Sequence, residues 1–294
     1  MANLKEVRTR IASVSSTQQI TSAMKMVSAA KFRRAQNAIV GMRPYAAQLG
    51  EIVSDLDNGD GITTPYHAVR PLRRVVLVVV TSNKGLCGAF NSNVIKQAQS
   101  RIAHYLQQLP QDGELCVLSI GKKSSELLAR RKDIRLEVHD ELLDAPTFDA
   151  VAILVDKLMQ DFAEKRIDRV EVVYNQFKNS LSQILSTEQL LPVESGKRKT
   201  ENGKREGNND YIYEPSKEEI MREMIPLTLR STFYRMVLDS LASEHGARMT
   251  AMQKATDNAT ELLKELRLSY NKARQASITN EIIEIVSGSE ALKG

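Results

Sequence analysis

Apolar residues recur every three or four positions at both ends of the chain, whereas continuous apolar runs occupy its middle. The C-terminal stripe consists of Met252, Ala255, Ala259, Leu262, Leu266, Ser269, Ala273 and Ala276. The N-terminal stripe begins with Leu4, Val7, Ile11 and Val14. This spacing is typical of the seam between two coiled helices, so each end of the chain predicts one long helix.

Both end segments lack the residues that interrupt helices. Residues 1–40 and 247–287 contain neither glycine nor proline. Ser216 and Glu219 form a capping-box pattern, which predicts that the C-terminal helix starts there, and Pro226 predicts a kink soon afterwards. Because both segments are longer than the helices of most compact domains, we expect them to pair with each other as an antiparallel coiled coil.

The N-terminal stripe changes character after its first turns. Its register becomes polar at Gln18 and Lys25, while Ile20, Met24 and Val27 form an adjacent apolar stripe. A dimeric zipper would keep one register along its whole length. We therefore expect this helix to pair first with one partner and then to meet others.

The middle of the chain alternates between strand and helix patterns. Apolar runs predict strands at 75–81, 115–120, 134–138, 169–177 and 182–193. Helical patterns predict helices at 89–108, 122–131 and 148–165. This alternation indicates βαβ units with a mostly parallel sheet, whose last strand is antiparallel because only a short link precedes it. The predicted fold class is α/β plus coiled coil, with a Rossmann-like sheet domain inserted between the N- and C-terminal helices.

This organisation divides the chain into four segments. An N-terminal coiled-coil helix covers 1–57, and an α/β domain covers 73–195. A polar loop at 196–210, rich in charged residues, Gly and Asn, is expected to be mobile. A C-terminal coiled-coil helix covers 211–288.

The positive charge of the chain is concentrated at its N-terminal end. The formal net charge is +5. Against Glu6 alone, residues 1–36 carry Lys5, Arg8, Arg10, Lys25, Lys31, Arg33 and Arg34. Such an arm should bind an acidic partner. The candidates are nucleic acid, a membrane surface and an acidic loop of another protein. The absence of Trp disfavours a base-stacking surface, and no apolar run reaches the roughly 20 residues of a membrane span.

The sequence TSNKGLCGAFN at 81–91 is the most enzyme-like stretch. It allows three interpretations, in which Cys87 is a nucleophile, the turn binds phosphate, or the turn simply connects a strand to a helix. The stretch has neither the Walker spacing nor G-x-G-x-x-G, and no histidine has a recognisable catalytic neighbourhood. We therefore favour a structural turn. We expect no catalytic residue, cofactor or metal site, since Cys87 and Cys116 show no metal-binding spacing.

Five stretches of the sequence resemble the gamma subunits of F-type ATP synthases. They are ITSAMKMVSAAKFRRAQ (20–36), TSNKGLCGAFN (81–91), YIYEP (211–215), LASEHGARMTAMQKATDNA (241–259) and LSYNKARQASITNEIIEIVSG (268–288). The resemblance covers essentially the whole chain in the right order. It agrees with the residue patterns, which indicate two long helices, a compact middle domain and no active site.

The resemblance implies a rotor. In this family the terminal helices form the central shaft inside a hexamer of alternating alpha and beta subunits. The α/β domain lies beside the epsilon subunit, and the foot of the shaft rests on the c-subunit ring. Proton flow turns the ring and shaft, and the shaft changes the conformation of the beta sites, which perform the catalysis. One copy per complex, no nucleic-acid partner and a peripheral position on the cytoplasmic side of a bacterial inner membrane are implied.

The resemblance also assigns roles to residues. Contacts with the beta subunit fall on Met24, Lys25, Arg274, Gln275, Thr279 and Glu281. The foot near the c ring falls on Lys31, Arg33, Arg34, Tyr211, Tyr213 and Glu214. For Met24, packing within the coiled coil is an equally weighted alternative. Asn83 stands where the family often has Asp, so an ion pair at that position is in doubt.

The end of the C-terminal helix carries a further prediction. Ile282, Ile283, Ile285 and Val286 make this segment apolar on more than one side, which exceeds the needs of a two-helix seam. Hydrophobic contact has no fixed direction, so such a tip could turn within a sleeve. We predict that it is a bearing tip.

Two other classes of function compete with the rotor. The first is an α/β nucleotide- or phosphate-binding enzyme with helical arms, which would bind free nucleotide as an isolated chain. The second is a coiled-coil scaffold that binds nucleic acid through the basic arm, with strongly salt-dependent affinity.

Overall fold

The computed structural model describes residues 4–56, 64–144, 146–179, 182–193, 214 and 216–291. The chain divides into two compact units. The first, here called the shaft unit, is formed by Met1–Ala29 and Arg248–Gly294, and the second, the sheet unit, is Ala30–Ala247. The expected mobile loop at 196–210 lies outside the described residues.

The elements follow the predicted order. The helices are α1 (Leu4–Leu56), α2 (Phe90–Gln108), α3 (Lys122–Leu128), α4 (Phe148–Ala163) and α5 (Lys217–Ala291). The strands are β1 (Arg74–Val80), β2 (Glu114–Ile120), β3 (Arg135–Val138), β4 (Arg169–Phe177) and β5 (Gln183–Leu191). Each predicted strand is present within two residues at either end, and α3 is shorter than predicted.

Helix α5 begins where the capping pattern predicts. The Ser216 side-chain oxygen accepts a hydrogen bond from the Glu219 backbone N–H at 3.3 Å, which satisfies one of the donors at the start of a helix. The helix continues through Pro226 to Ala291. The kink at Pro226 stays a prediction. Helix α1 likewise continues through Pro44, which lies within the segment 1–57 predicted as the N-terminal helix.

The sheet confirms the predicted fold class. Its strand order is β3-β2-β1-β4-β5, with β5 antiparallel to β4 and all other pairs parallel. The strand β1 is buried on both faces, because Val76 and Val78 pack with residues of α4 and α5 while Val75 and Leu77 pack with residues of α2. A continuous apolar strand therefore has a helical layer on each side.

In the shaft unit, α1 keeps a single register. Its buried or half-buried positions include Leu4, Val7, Ile11, Val14, Gln18, Thr21, Lys25 and Ser28, which follow one heptad spacing. Ile20 and Val27 lie outside this seam and are 57% and 58% exposed. The prediction of a drifting register was therefore wrong, since the seam retains polar residues instead of moving to the apolar ones.

The polar seam is stabilised by hydrogen bonds between the two helices. The Gln18 amide donates to the Thr260 hydroxyl at 2.7 Å, and the Thr256 hydroxyl donates to that of Thr21 at 2.8 Å. These pairs establish that α1 and α5 run antiparallel in the shaft unit, as expected. Buried hydroxyls and amides are tolerated in a helix interface when they find such partners.

On α5 the predicted stripe is partly correct, because Met252, Ala255, Ala259, Leu266 and Ala273 are buried or half-buried and Leu262, Ser269 and Ala276 are exposed. Met252 and Ala259 are buried as expected, but Leu263 is 4% exposed while the predicted Leu262 is 39% exposed. Tyr270 is likewise half-buried in place of Ser269, which is exposed. Two heptad patterns on α5 share every second position and differ at the remaining ones. The position of α1 determines which of the differing residues become buried.

The threonine pair in this seam should act as a unit. In a double-mutant cycle with Thr21→Val and Thr256→Val, we expect a coupling free energy of about 0.5–1.5 kcal/mol, the usual net worth of such a hydrogen bond. Urea unfolding of the full chain, followed by helical circular dichroism, measures it. Thr17→Val is the control, because its exposed hydroxyl bonds only to the Ser13 carbonyl of its own helix. Strictly additive effects at Thr21 and Thr256 would show that the seam does not depend on this contact.

Candidate functional site

The Gly-rich turn after β1 is organised by its own side chains. The Asn91 side-chain oxygen accepts from the Ser82 backbone N–H at 3.0 Å, and the Ser82 hydroxyl donates to the Lys84 carbonyl at 2.7 Å. Leu86 and Gly88 have φ values of 65° and 60°, so the chain reverses through the left-handed region. These contacts make the segment a compact connection between β1 and α2.

Cys87 lies inside this turn. Its side chain is 2% exposed and accepts a hydrogen bond from the Asn91 amide at 3.1 Å, with the Ser82 hydroxyl 3.8 Å away. Neither neighbour can act as a general base. The contacts of Cys87 therefore favour the structural interpretation of the turn over the nucleophile.

Asn83 links this turn to the next connection. Its amide nitrogen donates to the Asp140 carbonyl at 3.1 Å and to the Asp144 carboxylate at 3.0 Å. Its side-chain oxygen accepts from the Lys122 backbone N–H at 3.1 Å. An aspartate could not make the two donor contacts and would bring a second negative charge beside Asp144. The amide therefore fits the contacts present in this chain.

A buried group of hydroxyls fills the space at the carboxyl ends of β1 and β2. The Ser124 hydroxyl lies 2.7 Å from that of Thr81 and 2.6 Å from that of Ser119. Gly121 has a φ of 115°, and a Cβ there would lie 2.7 Å from the Thr81 carbonyl carbon. Side chains of the protein itself thus fill the carboxyl ends of these strands, where many doubly wound folds bind ligands.

A cavity lies at the opposite end of the sheet. It has a volume of about 290 Å³ and is lined by Arg74, Cys116, Arg135, Glu137, Leu158 and Arg166, among others. Burial, together with the nearby Glu137 carboxylate, raises the pKa of the half-buried Cys116 thiol to about 11. Cys116 is therefore a neutral thiol at physiological pH. Among the described residues, no group of His, Cys, Asp and Glu is suited to hold a metal ion.

The residues predicted to contact the beta subunit fall into two separate groups of the shaft unit. Met24 and Lys25 are half-buried, whereas Arg274, Gln275, Thr279 and Glu281 are exposed. The antiparallel pairing of Gln18 with Thr260 puts Lys25 level with about residue 253. Arg274 is then about 30 Å farther along the axis, at 1.5 Å per residue. The structure does not bring the two groups together.

The other predicted sites are placed as follows. Ile282, Ile283, Ile285 and Val286 are 55%, 55%, 70% and 52% exposed at the end of α5. Lys31, Arg33, Arg34 and Glu214 are exposed. Tyr211 and Tyr213 lie outside the described residues. No helix of the described chain is both long enough and apolar enough to cross a membrane.

Sequence reasoning gave no role to Met26 on the outward side of α1. It placed Ile20 and Val27 in an adjacent stripe of a helix expected to meet further partners, and both are exposed in this chain, as is Met26 at 65%. A signal was available, because the seam positions Leu4 to Val14 already fix a heptad that Ile20 and Val27 do not fit.

Glycine 121 provides a direct test of the turn geometry. Gly121→Ala should destabilise the chain by about 3 kcal/mol or more, since it combines backbone strain with an overlap that backbone atoms cannot relieve. Gly85→Ala in the neighbouring turn is the matched control, because an added Cβ there meets nothing within 4 Å. The measurement is the midpoint of thermal unfolding. Equal midpoints for the two variants would contradict the described packing of Gly121 on Thr81.

The sequence is similar to ATP synthase proteins over its whole length. The family model described as ATP synthase matches residues 3–292. An ATP synthase gamma chain from Flavobacterium johnsoniae is 52% identical over 297 residues, which cover 100% of both chains. The gamma chain from Christiangramia forsetii is 48% identical, again over 100% of both.

Solved structures share the architecture. A chain of the central stalk and c ring of the Tetrahymena thermophila mitochondrial ATP synthase has a TM-score of 0.60 and 26% identity, covering 80% of this chain and 99% of that one. A chain of the Euglena gracilis mitochondrial ATP synthase has a TM-score of 0.67 over 98% of this chain and 94% of that one, and at 22% identity it supports the fold alone. On the full-length identity, this chain belongs to the family of ATP synthase gamma chains.

Proposed function

We propose that this chain is the central-stalk rotor subunit of a proton-translocating F-type ATP synthase. It couples rotation of the c-subunit ring to conformational change at the catalytic sites of the beta subunits. The observation that carries the proposal is the identity of 52% to an ATP synthase gamma chain over the full length of both proteins. The two long helices supply the shaft that such coupling requires.

The partners follow from this role. One copy of the chain binds the hexamer of alpha and beta subunits, the epsilon subunit and the c ring. The complex is attached peripherally to the cytoplasmic side of a bacterial inner membrane, and the bacterial origin of the two gamma chains compared above supports this location. The basic arm finds its acidic partner in the beta subunit, so nucleic acid is not needed to explain its charge.

The exposed group at Arg274, Gln275, Thr279 and Glu281 is suited to polar contacts with the beta subunit. The Thr279 hydroxyl donates to the Gln275 carbonyl at 2.9 Å, and the Ser277 hydroxyl donates to Glu281 at 3.4 Å. In the isolated chain these two hydroxyls therefore bond within α5. Met24 and Lys25 offer less surface because both are half-buried, Lys25 in the seam and Met24 beside it. We assign them a contact restricted to their solvent-facing atoms.

The end of α5 is suited to be a bearing. Residues 278–290 are all exposed, because this part of the helix extends past the residues of α1 that the structure describes. Its isoleucines would be covered in the complex by an apolar sleeve. Contacts without direction can be exchanged as the tip turns, whereas a directed hydrogen bond would have to break at each step.

Assembly and activity together test the proposed function. We expect the tagged chain, co-expressed with its neighbouring subunits, to purify with alpha, beta and epsilon subunits. We also expect the isolated chain to show no ATP hydrolysis above background. Turnover by the isolated chain that disappears in Cys87→Ala would instead support the competing enzyme, and the absence of alpha and beta subunits from the purified material would contradict the rotor.

Truncation tests the bearing tip. Removing residues 282–294 should weaken the complex and slow turnover without stopping rotation, because Arg274, Gln275 and Thr279 remain. Each lost side chain contributes at most about 1.5–3 kcal/mol if fully buried. Removal of residues 288–294 is the control, since it keeps all four apolar residues. Single-molecule rotation decides the outcome, and a complete stop in a properly assembled complex would show that the tip transmits torque.

A further inference from the structure

The cavity at the amino ends of the parallel strands has an apolar interior. It lies between α4 and the sheet, with a volume of about 290 Å³, and its walls include Val76, Cys116, Leu118, Leu154 and Leu158. The four aliphatic residues are buried and Cys116 is half-buried. Ligand pockets usually have volumes of roughly 300–1,000 Å³, so this cavity is suited to a small ligand with on the order of ten non-hydrogen atoms.

Charged side chains surround this apolar interior. Each carboxylate that lines the cavity has a cationic partner in the same lining, so an anion that enters meets no uncompensated negative charge from the described lining residues. The nitrogen-to-oxygen distances are 3.4 Å for Arg135 with Glu114, 3.1 Å for Arg135 with Glu137, 3.2 Å for Lys157 with Glu137 and 3.1 Å for Arg166 with Asp161.

Arg74 is the cation that remains. Its backbone N–H donates to the Asp168 carboxylate at 2.8 Å, and its carbonyl accepts from the Asp168 backbone N–H at 2.7 Å, so its main chain is held in place. Its guanidinium forms no ion pair with any described carboxylate. The lining therefore carries one positive charge in excess, and Arg74 carries it at an exposed position.

We propose that this cavity binds a small amphipathic monocarboxylate, with its carboxylate on Arg74 and its apolar body between Leu118 and Leu158. The planar guanidinium matches a carboxylate with two parallel hydrogen bonds, and the apolar body needs no directed contact. A single negative charge balances the single excess positive charge of the lining. The site belongs to the sheet unit and uses none of the residues assigned to contacts with neighbouring subunits, so it goes beyond the proposed function.

The thiol in the wall is compatible with an anionic ligand. The pKa of Cys116 is raised to about 11, mainly by burial, so the group is neutral at physiological pH and does not repel a carboxylate. A neutral thiol behaves as a small apolar group. Cys116 therefore extends the apolar wall towards the charged rim.

Titration of the isolated full chain tests the site. The probe is hexanoate, and 1-hexanol is its control because it has a similar apolar body without the charge. We expect hexanoate to shift the methyl NMR signals of Leu118, Leu154 and Leu158, with a dissociation constant on the order of 1 mM. Hexanol should shift the same signals with an affinity about three- to tenfold lower, since it lacks the charge-assisted contact with Arg74.

Two arginine variants identify the cation that binds the carboxylate. Arg74→Gln should abolish the preference, so that hexanoate and hexanol bind within about twofold of each other. Arg73→Gln is the matched control, because Arg73 is exposed, does not line the cavity and lies 3.9 Å from the exposed Asp112 carboxylate. It should leave the preference unchanged. A general disturbance of the fold would weaken both ligands alike, so the preference reports the contact itself.

Three outcomes would overturn the proposal. The first is the absence of a saturable shift of the three leucine signals up to about 20 mM hexanoate. The second is an equal loss of preference in Arg73→Gln, which would mean that general positive charge attracts the anion. The third is binding of acetate or inorganic phosphate as tightly as hexanoate, which would mean that the apolar wall takes no part. None of these measurements involves the alpha or beta subunits, so such a failure would leave the proposed function standing.

Discussion

The hydrogen bonds between Gln18 and Thr260 and between Thr256 and Thr21 fix the alignment of the shaft. This alignment places the residues of the shaft unit that we propose as contacts with the beta subunit. It sets the level of Lys25 against α5 and separates it from Arg274. It also leaves the end of α5 without a partner among the described residues, and it turns Ile20 and Val27 away from the seam. A purely apolar seam would be more favourable per residue, but it would offer fewer contacts that distinguish one alignment from another.

The fold was predictable because its strongest signals are periodic. The apolar run at 75–80 could only be a strand covered on both faces, and alternation with helices implied a parallel sheet. The antiparallel direction of β5 followed from the short link that precedes it. What the sequence could not decide was which of two overlapping heptads on α5 faces α1. Leu262 and Leu263 are chemically identical, so only the position of the partner helix distinguishes them.

The candidate site was predictable to a different degree. The glycine-rich turn was interpreted as a connection because the spacing of its glycines matched no phosphate-binding pattern, and it does connect β1 to α2 in the structure. Its hydrogen-bonding was not foreseeable, because Asn83 and Asp144 are far apart in sequence and meet only in the folded sheet unit. The sequence did not reveal that the seam of α1 keeps its register through Gln18 and Lys25 and leaves Ile20 and Val27 exposed. Polar residues such as Gln18 can occupy a seam when the opposite helix offers a hydroxyl.

The placement of the shaft at both ends of the chain has a consequence for biosynthesis. Gln18 bonds to a residue 242 positions later, so α1 has no native partner in the shaft unit until almost the whole chain has been made. At about 5–20 residues per second, that interval is roughly 12–50 s. Throughout it Leu4, Val7 and Ile11 lack the helix that covers them in the folded protein. The growing chain is therefore a candidate for transient protection by a chaperone, and the shaft is the last part of the molecule to form.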